Sequence, residues 1–194
     1  MFVLFGQLIT CFMKLLILSL LLFISFASFS QITHRFTIGP DLGLPAKGSF
    51  GSTVNVSIGG SVQYQLKFAA PVGLQLHAGY SHFGDNYGKV NFLPIRAGVV
   101  GYLYQDLIYA YADAGASRYH SPTTGTTQTG FSFGAGAGYR LPIDETKFIQ
   151  LSAYYNLHRF NYKDDLFGRD FNYNWFNVRA AFGFSFRKGE TKKE

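Results

Sequence analysis

The chain has 194 residues, a net charge of +6, and 18% aromatic but only 14% charged residues, well below the roughly 25% charged of soluble proteins. Its length is that of one domain, and the low charge density argues against an ordinary water-exposed surface. The basic residues are scattered or sit in the tail Arg187-Lys188-Gly189-Glu190-Thr191-Lys192-Lys193-Glu194, with no basic helix or RNA-binding signature, so nucleic acid is not an expected partner.

Met13-Lys14 opens an export signal. One positive charge precedes the apolar run Leu15 to Phe26, and the small-residue site Ala27-Ser28-Phe29-Ser30 stands before Gln31. Residues 1–30 read as a signal peptide cleaved after Ser30. Met13 stands as an alternative start, because the preceding MFVLFGQLITCF carries no charge. An uncleaved anchor helix is the competing reading. Leu8-Ile9-Thr10-Cys11 lacks the basic residue, the full apolar run and the small residue of a lipoprotein box. Cys11 is the single cysteine, so the mature chain has no disulfide framework.

Alternation with a period of two then recurs to the end of the chain, as strands with an apolar and a polar face require. Arg35 to Leu44 sets Phe36, Ile38, Pro40, Leu42 and Leu44 against Thr37, Gly39, Asp41 and Gly43. Ser52 to Phe68 is the clearest case, with Val54, Val56, Ile58, Val62, Tyr64 and Leu66 against small uncharged polar residues. It is long enough to cross a bilayer at a tilt, which takes roughly 9–11 residues. Its polar face carries no charge before Lys67, which suits a barrel interior better than a solvent face.

Val72 to Ser81 and Val90 to Tyr104 follow, the second with Ile95, Ala97, Val99 and Leu103 outward and Arg96, Gly98 and Tyr102 inward. In Ile108 to Arg118, placing Ala110, Ala112 and Ala114 outward puts Asp113 indoors. Thr129 to Leu141 alternates Phe131, Phe133, Ala135, Ala137 and Tyr139 with Ser132, Gly134, Gly136, Gly138 and Arg140. Phe148 to His158 and Tyr173 to Phe186 complete eight strands, the last with Phe176, Val178, Ala180, Phe182, Phe184 and Phe186 outward.

Short connections (Ala69-Ala70-Pro71, Gln105-Asp106, Pro142 to Thr146) alternate with longer polar ones (Pro45 to Gly51, Phe83 to Lys89, Tyr119 to Gln128, Arg159 to Asn172). Turns on one side and loops on the other is the pattern of outer-membrane barrels, with the turns periplasmic. In hydrocarbon every backbone N–H and C=O must be paired internally, so the first strand must meet the last. The expected fold is therefore all-β, a closed eight-stranded antiparallel up-and-down transmembrane barrel over residues 31–186, followed by the basic tail 187–194.

Phe92-Leu93-Pro94-Ile95-Arg96-Ala97-Gly98 and Phe133-Gly134-Ala135-Gly136-Ala137-Gly138-Tyr139, with a closing strand Val178 to Phe186 that ends in an aromatic, give the sequence its likeness. It resembles the small eight-stranded outer-membrane barrels of the OmpA-transmembrane-domain or OmpX kind, the "porin family" β-barrel domain. The resemblance implies an architecture, the bacterial outer membrane as location, and its lipid and the barrel-assembly machinery as partners. It implies no active site. Eight further residues follow Phe186, where the family's assembly signal ends on the aromatic.

The inward charges are the first candidate site. Asp41, Arg96, Asp113 and Arg179 fall near the middle of their strands, His77 is close in height, and Arg140 lies nearer the periplasm. A buried charge is costly unless paired, and adjacent strands offer Arg96 with Asp113 and Asp41 with Arg179. The readings are an ion-pair network that plugs the lumen or a selective pore. Setting Asp113 opposite Gly134 would lay Tyr111 over Gly136 and Tyr109 over Gly138, with Tyr102, Phe148 and Tyr154 also filling the lumen.

Chemistry beyond this finds little support. His158 with Ser152, Ser81-His82 and His120-Ser121 are not spaced as nucleophile and base, and no G-x-S-x-G, H-E-x-x-H or paired catalytic carboxylates occur. Lys163 to Asp170 lacks the spacing of a calcium loop, and neither a metal nor a cofactor is called for. The expected function is that of a non-enzymatic outer-membrane protein, structural or presenting its loops to an extracellular ligand. A narrow pore for small solutes is the alternative, and a lipid-modifying enzyme the more distant one.

Overall fold

The computed structural model describes residues 32–46, 56–68, 71–84, 89–161 and 170–187. The expected signal segment, Lys163 to Arg169 of the longest loop, residues 52–55 and the tail beyond Arg187 lie outside the described residues. Eight strands follow one another: β1 (Thr33–Pro45), β2 (Ser57–Lys67), β3 (Val72–Gly84), β4 (Lys89–Leu103), β5 (Ile108–His120), β6 (Thr127–Pro142), β7 (Lys147–Asn161) and β8 (Asp170–Arg187). Each pairs antiparallel with its neighbour in sequence, and β1 closes on β8, so the sheet has no free edge. The shortest strand has 11 residues and the longest 18, all sufficient to cross a bilayer. Among the described residues no helix is long and apolar enough to cross a membrane; the crossing falls to the strands.

The alternation is realised on every strand. Ile38, Leu42, Ile58, Leu76, Ile95, Val99, Phe131 and Val178 all face outward with more than half of their surface exposed. So much large apolar surface would not be left to water, and a hydrocarbon belt accounts for it. The strands run past the expected ends: β3 reaches Gly84, β5 His120 and β7 Asn161.

Two prolines sit within paired strands. Pro40 pairs with Gly60 of β2 but falls in a gap of the β1–β8 ladder, and Pro94 pairs with Ser117 of β5 but falls in a gap of the β3–β4 ladder. Proline has no N–H to give, so each keeps one neighbour and loses a bond to the other. The register is the same on both sides of each gap, so the missing donor introduces no bulge.

Candidate functional site

Among the described residues the lumen gathers buried charge, and its contents are layered. The six candidate residues all point inward and are at most 4% exposed. At mid-height, Arg96 on β4 reaches Asp113 on β5, with Nε 2.9 Å from Oδ1. Its Nη1 donates to Asn156 Oδ1 at 2.6 Å and its Nη2 lies 2.8 Å from His77 Nδ1. Arginine can only donate, so His77 Nδ1 accepts and the ring carries its proton on Nε2. Asp41 stands directly across the closure from Arg179, with Nε 3.7 Å from Oδ1, a looser pair than the first. Arg179 also donates to Gln63 Oε1 and to Thr37 Oγ1, each at 3.1 Å.

Glutamines tie these pairs together. Gln75 Nε2 donates to Asp113 Oδ2 at 3.0 Å, Gln65 Nε2 to Gln75 Oε1 at 2.7 Å, and Arg140 donates to Gln65. On the other side Gln150 donates to Gln63 at 3.0 Å and accepts from Arg140. Arg140 therefore joins both branches. It has no carboxylate partner among the described residues; instead its guanidinium faces the rings of Tyr102, Tyr109 and Phe148 at 5.0, 4.4 and 5.7 Å.

Size complementarity makes the room. Asp113 pairs with Gly134, Tyr111 with Gly136 and Tyr109 with Gly138. A Cβ on Gly134 would stand 2.5 Å from Asp113 Oδ1 and 2.8 Å from Arg96 Cζ, and one on Gly138 would strike the Tyr109 ring. Over Gly136 the nearest side chain is that of Tyr154, from β7, rather than Tyr111.

The loop side of the lumen holds a buried aromatic layer. Phe83, Phe92, Phe160 and Trp175 turn inward, each no more than 1% exposed, with Tyr119 and Tyr173 packed against them. His158 stacks on Trp175 with ring centres 4.4 Å apart and planes 4° from parallel. The sequence signal for this layer is weak, since the inward positions of such a strand normally hold polar residues and Phe83 and Phe160 fall where the alternation gives way to loop. Among the described residues no group of three His, Cys, Asp or Glu side chains could hold a metal ion.

A closed antiparallel barrel of eight strands, apolar outside and polar within, is the architecture of an integral outer-membrane protein. The chain belongs to the family of the outer membrane protein beta-barrel domain, whose model matches residues 16–191. Its location is accordingly the bacterial outer membrane. Among solved structures it is similar to Ail, the attachment invasion locus protein of Yersinia pestis, at 15% identity and a TM-score of 0.54, over 80% of this chain and 99% of that one. It is also similar to OprG from Pseudomonas aeruginosa, at 12% identity and a TM-score of 0.49, over 82% and 98%. At such identities the likeness is one of fold. No curated protein matches the sequence.

Proposed function

We propose that the protein is a non-enzymatic outer-membrane barrel with a closed lumen, which holds its extracellular loops on a rigid support. The observation that carries this reading is the continuous filling of the interior. An aromatic layer, an ion-pair layer and a tyrosine–arginine layer follow one another, and an eight-stranded barrel leaves little width beyond its own side chains. Export by a signal peptide cleaved before Gln31, insertion by the barrel-assembly machinery and an extracellular ligand for the loops belong to the same proposal.

The test is conductance. Purified protein in a planar lipid bilayer is expected to show no large, stable current. A steady open channel in the wild type would replace this reading with that of a narrow pore. N-terminal sequencing of the membrane-bound form should begin near Gln31, and finding Met1 or Met13 there would defeat the cleavage.

A further inference from the structure

His158 is fully buried toward the loop end of β7, and neither ring nitrogen has a hydrogen-bond partner among the described residues. A neutral imidazole carries one donor and one acceptor, and buried polar atoms are seldom left unpaired without a reason. The neighbours satisfy neither. The ring lies flat on Trp175, with the ring centres of Phe92 and Phe160 at 5.4 and 6.4 Å. A phenylalanine would fill this place and leave no polar atom unpaired, as Phe92 and Phe160 themselves do.

Among the described residues the groups around this ring offer it no carboxylate. Ser132 of β6 and Tyr173 of β8 stand across the two ladders, and Tyr119 of β5 belongs to the same aromatic layer. Arg96 of β4 and His77 of β3 are close enough to act on the ring electrostatically. On β7 itself, Asn156 is bonded to Arg96, and Arg159 is exposed on the other face. Asp113 of β5 sits opposite Gly134, one inward position below Ser132, and is held by Arg96 and Gln75. Asp41 of β1 pairs with Arg179, at the level of Ser152. A proton on His158 would therefore add a second cation near Arg96 with no counter-ion of its own. The indole face attracts a cation, but by less than the burial of an unpaired charge costs.

We propose that His158 is a proton switch in the loop-side aromatic layer: on taking up one proton its ring parts from Trp175 and water enters that end of the lumen. The closed layer has no partner for the charge, whereas water solvates it, so acid moves the balance toward the open form. At neutral pH the ring gives the proton back and the stack re-forms. The Arg96–Asp113 pair below stays in place, so the switch alone gives no through path. That consequence rests on the closed lumen proposed above; the movement at Trp175 does not.

Trp175 is the chain's single tryptophan, so its emission reports on this layer directly. The full chain, folded in a maltoside detergent, is followed from about pH 7.5 to about pH 5, the range in which histidine ordinarily changes charge. Wild type should show a reversible shift of the emission to longer wavelength as water reaches the indole. His158→Phe keeps a ring in the layer and should show no shift. Heat-modifiable gel migration checks folding, and His158→Gln replaces the first variant if that one does not fold. Absence of the shift in wild type, or the same shift in a folded His158 variant, would overturn the switch. Bilayer recordings at neutral pH judge the closed lumen separately: a steady current there would overturn that reading, with the emission still deciding this one.

Discussion

Arg96 and Asp113 are both fully buried at their charged ends, so each depends on the other. Removing one partner of such a pair leaves an uncompensated charge and typically costs about 3–5 kcal/mol, whereas replacing both by apolar groups is often neutral. Asp113→Ala should therefore lower the unfolding free energy in lipid vesicles by about that amount. Arg96→Met combined with Asp113→Leu should recover most of the loss, and a double variant as unstable as the two losses added would show that the groups act independently. At the exposed β6–β7 turn, Asp144 Oδ1 accepts from the backbone N–H groups of Thr146 and Lys147, both at 2.7 Å, and from Thr146 Oγ1. These bonds hold its pKa at about 2, below the ordinary 3.8. A carboxyl depressed on folding adds stability that is present above its unfolded pKa and lost as pH falls through the folded one. The stability difference between wild type and Asp144→Asn should thus be constant from neutrality to about pH 4 and shrink toward pH 2. A difference that does not change with acid would sink this account of the turn.

A strand of this barrel has two solvents, and a substitution is judged by which one it meets. Val99 of β4 and Ala135 of β6 face the lipid side; Thr37 of β1 faces the lumen and accepts from Arg179. Val99→Arg should cost roughly 2–4 kcal/mol in folding titrations, the penalty of a cation near the bilayer midplane, whereas Thr37→Ser keeps the acceptor and should cost far less. Equal costs would invert the facing. The glycines obey a stricter rule than polarity. Gly59 is inward on β2, and its neighbours on the polar face suggest that a small polar residue would fit. A Cβ there would collide with the Tyr80 carbonyl oxygen, which is backbone and cannot turn away. Gly134→Ala should likewise weaken the barrel, because the added carbon presses on the Asp113 carboxylate and the Arg96 guanidinium together.

Taken whole, the closed lumen proposed above would rest on two layers in series. The aromatic layer of Phe83, Phe92, Phe160 and Trp175 stands on the loop side of the ion pairs, so on that proposal opening one leaves the other closed. Phe92→Ala removes a ring that touches five other aromatic side chains and histidine. It should cost about 3–5 kcal/mol, in line with large-to-small core changes, yet leave a bilayer without steady current. Asp113→Ala alone should give brief openings at most. The two together should conduct more than the sum of the singles, and strictly additive currents would rule out seals in series.

The facing of every strand, the even strand number and the pairing of Asp113 with Gly134 were legible in the chain. They follow from a period of two and from size: a charged or aromatic residue needs a glycine across the ladder when the interior is narrow. Asp113 and Asp41 can be offered as partners of Arg96 and Arg179 for the same reason, since they lie on adjacent strands, whereas the bond from Arg96 to Asn156 of β7 cannot. The aromatic layer could not be assembled in the same way: the period of two turns Trp175 inward beside outward Phe176, but Phe160 falls in what reads as a loop, and nothing in the sequence brings it to Phe83, Phe92 and Trp175.

What the sequence by itself determined is local: which residues face lipid, where the strands turn, and that the sheet must close because no backbone group can be left unpaired in hydrocarbon. Only the tertiary structure decided which side chains meet across the lumen. Arg140 joins Gln65 and Gln150 from opposite branches, and Asp106 meets Arg35 and Lys67 from a turn far along the chain. These meetings depend on the tilt and stagger with which eight strands close, which set the relative heights of residues on non-adjacent strands. The left-handed backbone at Tyr104, Gln105 and Asp106 is of the same kind, since no glycine marks it. There the ion pairs of the closed barrel hold the carboxylate in place, and the local sequence alone gives no reason for the turn to take that form.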